Sequence, residues 1–259
     1  MVQATNKNAP IGIFDSGVGG ISVLREIRKI LPGEDFIYYG DSANAPYGTK
    51  KVDDVIGFSM KIADFLLKEG AKALVVACNT ATSVAIPVLR ETYPDIPIIG
   101  IEPALKPAVL AKDHPNVFVM ATPMTLEQEK FAKLMHFYED NAEITKVPCP
   151  GLVELIEEGS LEGEEIFRFL EEKFAPYDKE KIDGVVLGCT HYPLIKSTVQ
   201  KVLPNAVIYD GGYGTAKQTK KRLEEFGLLS DENDGGTVTF YNSKNTKEIL
   251  ALSEKLLNL

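Results

Sequence analysis

Gly184-Val185-Val186-Leu187-Gly188-Cys189-Thr190-His191-Tyr192-Pro193 sets an apolar run directly against a thiol, a hydroxyl and an imidazole. A short apolar run bounded by turn residues is the pattern of a strand buried in a parallel sheet. In parallel α/β sheets ligands sit beyond the carboxyl ends of the strands. Cys189 is therefore expected at the mouth of a site, not inside a core. The design occurs earlier as well, in Ala73-Leu74-Val75-Val76-Ala77-Cys78-Asn79-Thr80-Ala81-Thr82. Cys78 and Cys189 lie 111 positions apart, each at a strand end followed by a helical segment. Two such units suggest one site with a thiol on each side.

The rest of the chain alternates in the same way. Ile11–Phe14 reads as a strand, Asp15-Ser16-Gly17-Val18-Gly19-Gly20 as the loop after it, and Ile21, Leu24, Ile27 and Leu31 as a helix face stopped by Pro32-Gly33. Further strands are expected at Phe36–Tyr39, Ala73–Ala77 and Ile96–Ile101, with a polar loop at Asp41–Thr49 and helices at Val52–Leu66 and Ala81–Tyr93. The pattern restarts at Val117–Met120, 106 positions after Ile11. Helices are expected at Leu126–Tyr138, Leu152–Glu158, Glu162–Ala175 and Leu194–Val202, and strands at Glu143–Val147, Val185–Leu187 and Val207–Tyr209. Helix Thr215–Phe226, strand Val238–Tyr241 and helix Thr246–Leu257 close the chain. Alternating strands and helices predict parallel sheets with right-handed crossovers. The two offsets predict two similar α/β domains from an internal duplication, related by pseudo-symmetry, with the active site in the cleft between them.

The chain has 259 residues, 44% of them hydrophobic and 25% charged, as in ordinary globular proteins. A formal net charge of −9 argues against a nucleic-acid partner, which needs a basic face. It leaves room for a small anion held by backbone N–H groups and hydroxyls. Met1–Pro10 lacks an apolar signal core and no window is long enough to span a membrane, so a cytoplasmic protein without a membrane partner is expected. Three cysteines make a disulfide scaffold implausible. Cys149, in Val147-Pro148-Cys149-Pro150, reads as a small buried hydrophobe.

The loop at Asp15–Gly20 is neither a dinucleotide fingerprint nor a phosphate-binding loop. Asp15 is open between a helix cap and a site role. Thiols at helix starts can serve as bases, nucleophiles or metal ligands. Zinc sites show Cys-x-x-Cys or paired-His spacing, which is absent, so no metal is expected. A Cys189–His191 nucleophile pair would leave the Cys78 turn unexplained. Two thiols on opposite faces of one carbon account for both: one takes a proton and the other gives one, as in a racemase or epimerase. Asp15 and His191 are the candidate helpers. Of Glu154, Glu157 and Glu158, periodicity selects none.

Four stretches carry a resemblance to a known family. They are Ile13-Phe14-Asp15-Ser16-Gly17-Val18-Gly19-Gly20, Tyr39-Gly40-Asp41 with Pro46-Tyr47-Gly48, Val76-Ala77-Cys78-Asn79-Thr80-Ala81-Thr82, and Leu187-Gly188-Cys189-Thr190-His191-Tyr192-Pro193. In order and spacing they resemble the glutamate racemases of bacterial cell-wall synthesis, over nearly the whole chain. The resemblance implies interconversion of L- and D-glutamate without a cofactor, supplying D-glutamate for peptidoglycan. It implies that Cys78 is the base towards D-glutamate and Cys189 the base towards L-glutamate. Asp15, His191 and Glu157 would assist, Glu157 by its place in Cys149-Pro150-Gly151-Leu152-Val153-Glu154-Leu155-Ile156-Glu157; many members carry proline at the position of Glu154. Asp15-Ser16, Tyr47-Gly48, Asn79-Thr80 and Thr190-His191 would bind the substrate. The family plan also implies a homodimer and a C-terminal segment returning to the first domain. That gives residues 1–100 with 208–259 as one domain and 101–207 as the other. No lysine accompanies either cysteine motif for a pyridoxal Schiff base. The rivals are a racemase for aspartate or a ring-closed amino acid, told apart by turnover, and a non-catalytic amino-acid-binding protein, which would give no solvent exchange at Cα.

Overall fold

The computed structural model describes residues 6–158, 161 and 163–258. The elements run β1 (Ile11–Asp15), α1 (Ile21–Ile30), β2 (Phe36–Gly40), α2 (Val52–Lys68), β3 (Ala73–Val76), α3 (Asn79–Thr92) and β4 (Ile98–Gly100). Next come α4 (Leu105–Val109), β5 (Asn116–Ala121), α5 (Pro123–Glu127), α6 (Glu129–Tyr138), β6 (Glu143–Pro148), α7 (Leu152–Glu157), α8 (Glu164–Phe174), β7 (Gly184–Leu187), α9 (Lys196–Val202) and β8 (Val207–Asp210). The chain ends with α10 (Gly212–Glu225), β9 (Val238–Asn242) and α11 (Lys247–Leu257). They form two compact units: one runs to Glu102 and resumes at Gly212, the other is Pro103–Gly211.

Every strand pairing is parallel, in the orders β4-β3-β1-β2-β9 and β6-β5-β7-β8. Apart from β9, the second order repeats the first. In each sheet the chain winds to one side of its first strand and then crosses to the other. This makes a topological switch point at the carboxyl ends of β1 and β3, and another at those of β5 and β7. The registers carry the duplication: Ile11 faces Ala73 in one sheet and Val117 faces Gly184 in the other. These positions reproduce the offsets of 106 and 111 seen in the sequence.

Strand alternation divides the second unit's core into two layers. Phe118, Met120, Val185 and Leu187 pack against Leu152, Ile156, Ile166, Leu170 and Val199. Val117, Val119, Ala121 and Val186 face the opposite way, against Leu105, Val109, Leu126 and Phe131. Each fully buried large side chain contributes about 1.5–3 kcal/mol, so the apolar strand runs commit the sheet to helices on both faces. In the first unit Ile21, Leu24 and Ile27 of α1 form the buried stripe that the sequence spacing marks, and Val23 is buried beside them.

Several boundaries depart from the sequence expectation. The expected helix Leu126–Tyr138 is two helices, because Gln128 is extended (φ −69°, ψ 139°) and Pro123 starts α5 behind a Thr122 cap. The expected helix at Leu194 begins as a 3-10 turn, Tyr192–Ile195, and becomes α9 only at Lys196. Helix α4 is unforeseen: five residues containing Pro107 leave no readable period. A domain boundary at 207/208 would cut β8, which is hydrogen-bonded along its length to β7; the crossing lies at Gly211–Gly212. Glu162, the expected start of one helix, lies outside the described residues. Among the described residues no helix is long and apolar enough to cross a membrane.

Candidate active site

In the first unit the switch point is built from the β1 loop, the β2 loop and the start of α3. Asp15 ends β1 with its side chain fully buried. Its Oδ2 accepts the Gly17 N–H at 3.0 Å, and Tyr38 Oη donates to the Gly17 carbonyl at 2.8 Å. Gly20 is required there. A Cβ at that position would stand 2.5 Å from the Asp15 Cβ and 2.9 Å from Tyr38 Oη. Asp15 thus anchors its own loop and does not cap α1, which has no side-chain cap.

Cys78 is the N-cap of α3, with its Sγ accepting the Ala81 N–H at 3.4 Å. The Ser16 hydroxyl lies 3.7 Å from the same sulfur. Helix α3 therefore starts two residues earlier than its apolar pattern suggests, with a thiol in the role usually taken by Ser, Thr, Asp or Asn. Asn79 and Thr80 are the first residues of that helix, both buried. The Asn79 Oδ1 is a buried acceptor with no donor among the described residues. Tyr47 and Gly48 occupy a 3-10 turn, Tyr47–Thr49. Tyr47 Oη donates to Asp41 Oδ2 at 2.6 Å. Burial first, then the charges of Asp41, Cys78 and Asp15, push the Tyr47 phenol far above its ordinary range. Asp41 is a member of this cluster that the sequence left without a role. Its position directly after β2, six before Tyr47, was the available signal.

The second unit carries a different device at the equivalent place. Cys189 follows β7 by two residues, and its Sγ is 3.8 Å from His191 Nδ1. His191 Nε2 is 2.6 Å from Glu157 Oε1. The imidazole is 1% exposed and the Glu157 carboxyl 16% exposed. Glu157 ends α7, whose entry is turned by Gly151 in a left-handed conformation (φ 88°). When Glu157 accepts the Nε2–H, Nδ1 presents a lone pair towards the thiol. The arrangement can accept the Cys189 proton and stabilise the imidazolium that results. Thr190 is buried beside them. Below, Tyr192 Oη donates to the Cys149 carbonyl at 3.4 Å, and Cys149 sits in the apolar layer. Burial pushes the Cys149 thiol up to about 12, which suits a packing residue and not a base.

The structure thus brings Asp15, Ser16, Asn79 and Thr80 around Cys78, and Thr190, His191 and Glu157 around Cys189. Among the described residues no group of three or more His, Cys, Asp or Glu could hold a metal ion. A family model described as Asp/Glu/Hydantoin racemase matches residues 11–218.

The chain belongs to that racemase family.

The match spans both cysteine turns. A glutamate racemase of Clostridium botulinum (strain Hall) is 57% identical over 251 residues, covering 96% of this chain and 97% of that protein. One from Clostridium acetobutylicum is 53% identical over 253 residues, 98% of this chain and 99% of that one. Among solved structures, the glutamate racemase of Francisella tularensis in complex with D-glutamate is similar with a TM-score of 0.84 at 33% identity. It covers 98% of this chain and 95% of that one. The α/β architecture with parallel sheets is that of these racemases.

Proposed function

We propose that this racemase interconverts L- and D-glutamate by two-base proton transfer at Cα, with Cys78 and Cys189 each serving one face of the carbon, and so supplies D-glutamate for peptidoglycan synthesis. The observation that carries it is the pair of strand-end thiols at equivalent register positions, each with its own polar partners. Cys78 is the base towards D-glutamate and Cys189 the base towards L-glutamate. Each abstraction breaks a Cα–H bond and forms an S–H bond; the opposing thiol breaks its S–H bond and forms the new Cα–H bond. His191, backed by Glu157, relays charge for Cys189, and Asp15 holds the loop that faces Cys78. Because an amino-acid α-proton is only weakly acidic, preorganised donors must stabilise a carbanion-like state. Ser16, Tyr47-Gly48, Asn79-Thr80 and Thr190-His191 are the proposed substrate contacts. The unsatisfied Asn79 Oδ1 supports this, being an acceptor ready for an ammonium. The proposal includes a cofactor-free reaction in the cytoplasm by a homodimer.

The test is incubation with L-glutamate in deuterated water, without pyridoxal phosphate, metal or nucleotide, followed by chiral analysis. D-glutamate carrying deuterium at Cα is expected. Cys78→Ala and Cys189→Ala should each be folded and nearly inactive, and their losses should not add. Near wild-type turnover by Cys78→Ala would refute the two-base mechanism.

A further inference from the structure

Cys78 and Cys189 occupy equivalent places in the duplicated fold, yet different chemical groups meet them. By the same offsets Ser16 corresponds to Thr122, and Thr80 to His191. In the second unit the imidazole of His191 reaches Cys189, while the Thr122 hydroxyl caps α5 by accepting the Thr125 N–H at 3.3 Å. In the first unit the histidine position holds Thr80, and the hydroxyl after β1, Ser16, meets the sulfur. We propose that Ser16 is a positioning residue for Cys78 that holds its sulfur in both protonation states, the task that His191 performs for Cys189. This rests on Cys78 acting as a proton-transfer base.

Three features support it. The Sγ to Oγ distance of 3.7 Å lies within hydrogen-bond range for sulfur. Ser16 is buried, and its loop is pinned by the Asp15 carboxylate and the Tyr38 hydroxyl, so the Oγ has little freedom to leave. The third feature is chemical. A base in a racemase must be a thiolate for one enantiomer and a thiol for the other. The Ala81 N–H can only donate: it stabilises the thiolate but offers no acceptor to the S–H. A hydroxyl donates and accepts. Ser16 accepts from the S–H when Cys78 is protonated. It rotates to donate to the sulfur once that proton has gone to the substrate carbon, with no covalent change at Ser16. The imidazole Nδ1 of His191 is amphoteric in the same sense. Each half of the fold thus brings a donor–acceptor group to its thiol, from a different strand end.

Turnover direction is not a usable readout. L- and D-glutamate have equal free energies, so kcat/KM must fall equally for both whichever residue is changed. The informative measurement is the reactivity of the free enzyme, without glutamate, towards iodoacetamide. Alkylation of each cysteine is followed by peptide mapping from about pH 5 to about pH 10, across the titration range of a thiol. Ser16→Ala should move the alkylation midpoint of Cys78 upward by roughly one pH unit, because the bond lost to the charged thiolate is stronger than the bond lost to the neutral thiol. Ser16→Thr should restore it, and the Cys189 midpoint should stay in place. The isosteric pair Ser16→Thr and Ser16→Val, which differ by hydroxyl against methyl, gives the same comparison if Ser16→Ala folds poorly. An unmoved Cys78 midpoint, or equal movement of Cys189, would overturn the proposal. A moved midpoint in a protein that does not racemise glutamate would leave Ser16 its role and refute the proposed function instead.

Discussion

Replacing Lys72 with methionine removes one member of a buried ion pair. Lys72 Nζ contacts Glu34 Oε2 and the Lys7 carbonyl, and the two side chains are 0% and 2% exposed. The other carboxylate oxygen of Glu34 accepts the Ser230 N–H at 2.8 Å. Without the ammonium, Glu34 keeps a charge far from water, compensated among the described residues by the Ser230 N–H. Breaking a buried pair in this way costs about 3–5 kcal/mol. In a chain of this size that lowers the melting temperature by on the order of 10 °C. The double change Lys72→Met with Glu34→Gln should be less destabilised than Lys72→Met alone. It removes the stranded charge, and the amide oxygen of glutamine can still accept the Ser230 N–H. Urea unfolding of the wild type, both single variants and the double variant gives the coupling directly. A Lys72→Met penalty below about 1 kcal/mol, or a double variant matching the sum of the singles, would refute the reasoning.

Glu157→Gln weakens a charge-assisted bond to His191 and should lower kcat/KM roughly ten- to a hundredfold, equally from both enantiomers, with the melting temperature little changed. Steady-state polarimetry checks it; a change confined to KM would mean that Glu157 acts on binding alone. Gly20→Ala forces a Cβ against three fixed neighbours and should cost about 1–3 kcal/mol and displace Asp15, seen as lost stability together with lost turnover. Cys149 contributes to the alkaline limb of stability. Its folded-state value of about 12 stands above the ordinary 9.0, so the thiol's stabilisation is complete below about pH 9 and is lost as pH rises towards 12. The slope is about 1.4 kcal/mol per pH unit for one proton. Cys149→Ala should flatten urea-derived stability between about pH 9 and pH 10.5 by that one-proton slope; Tyr47, whose folded-state value is also raised, keeps the same sign above its ordinary 10.0 in either protein.

The strand ends were legible because each combines an apolar run with an abrupt change to polar residues, and the sheet registers then preserve the spacing. Choosing among Glu154, Glu157 and Glu158 was not possible from pattern. The resemblance points to Glu157, and the placement of α7 against the turn after β7 brings that carboxyl to His191. The cap at Cys78 was hidden because cysteine is not a usual cap, and the pairing of Ser16 with it because 62 positions separate them. The 3-10 turn after Cys189 follows from Pro193, whose ring permits a helical start while its missing N–H weakens the next turn. The sequence places both thiols before helix starts; only Cys78 caps an α-helix.

The last strand of the first sheet is also the last to be made. β9 pairs with β2 in the register Phe36 to Val238, a separation of 202 positions, and the whole of Pro103–Gly211 is synthesised in between. At about 5–20 residues per second on a ribosome, the edge of β2 waits on the order of 10–40 seconds for its neighbour. The inserted unit is continuous in sequence and needs no later segment for its own sheet. On the nascent chain it can close first, while the unit that begins the protein stays an open sheet until Ser230 reaches Glu34 and β9 covers β2.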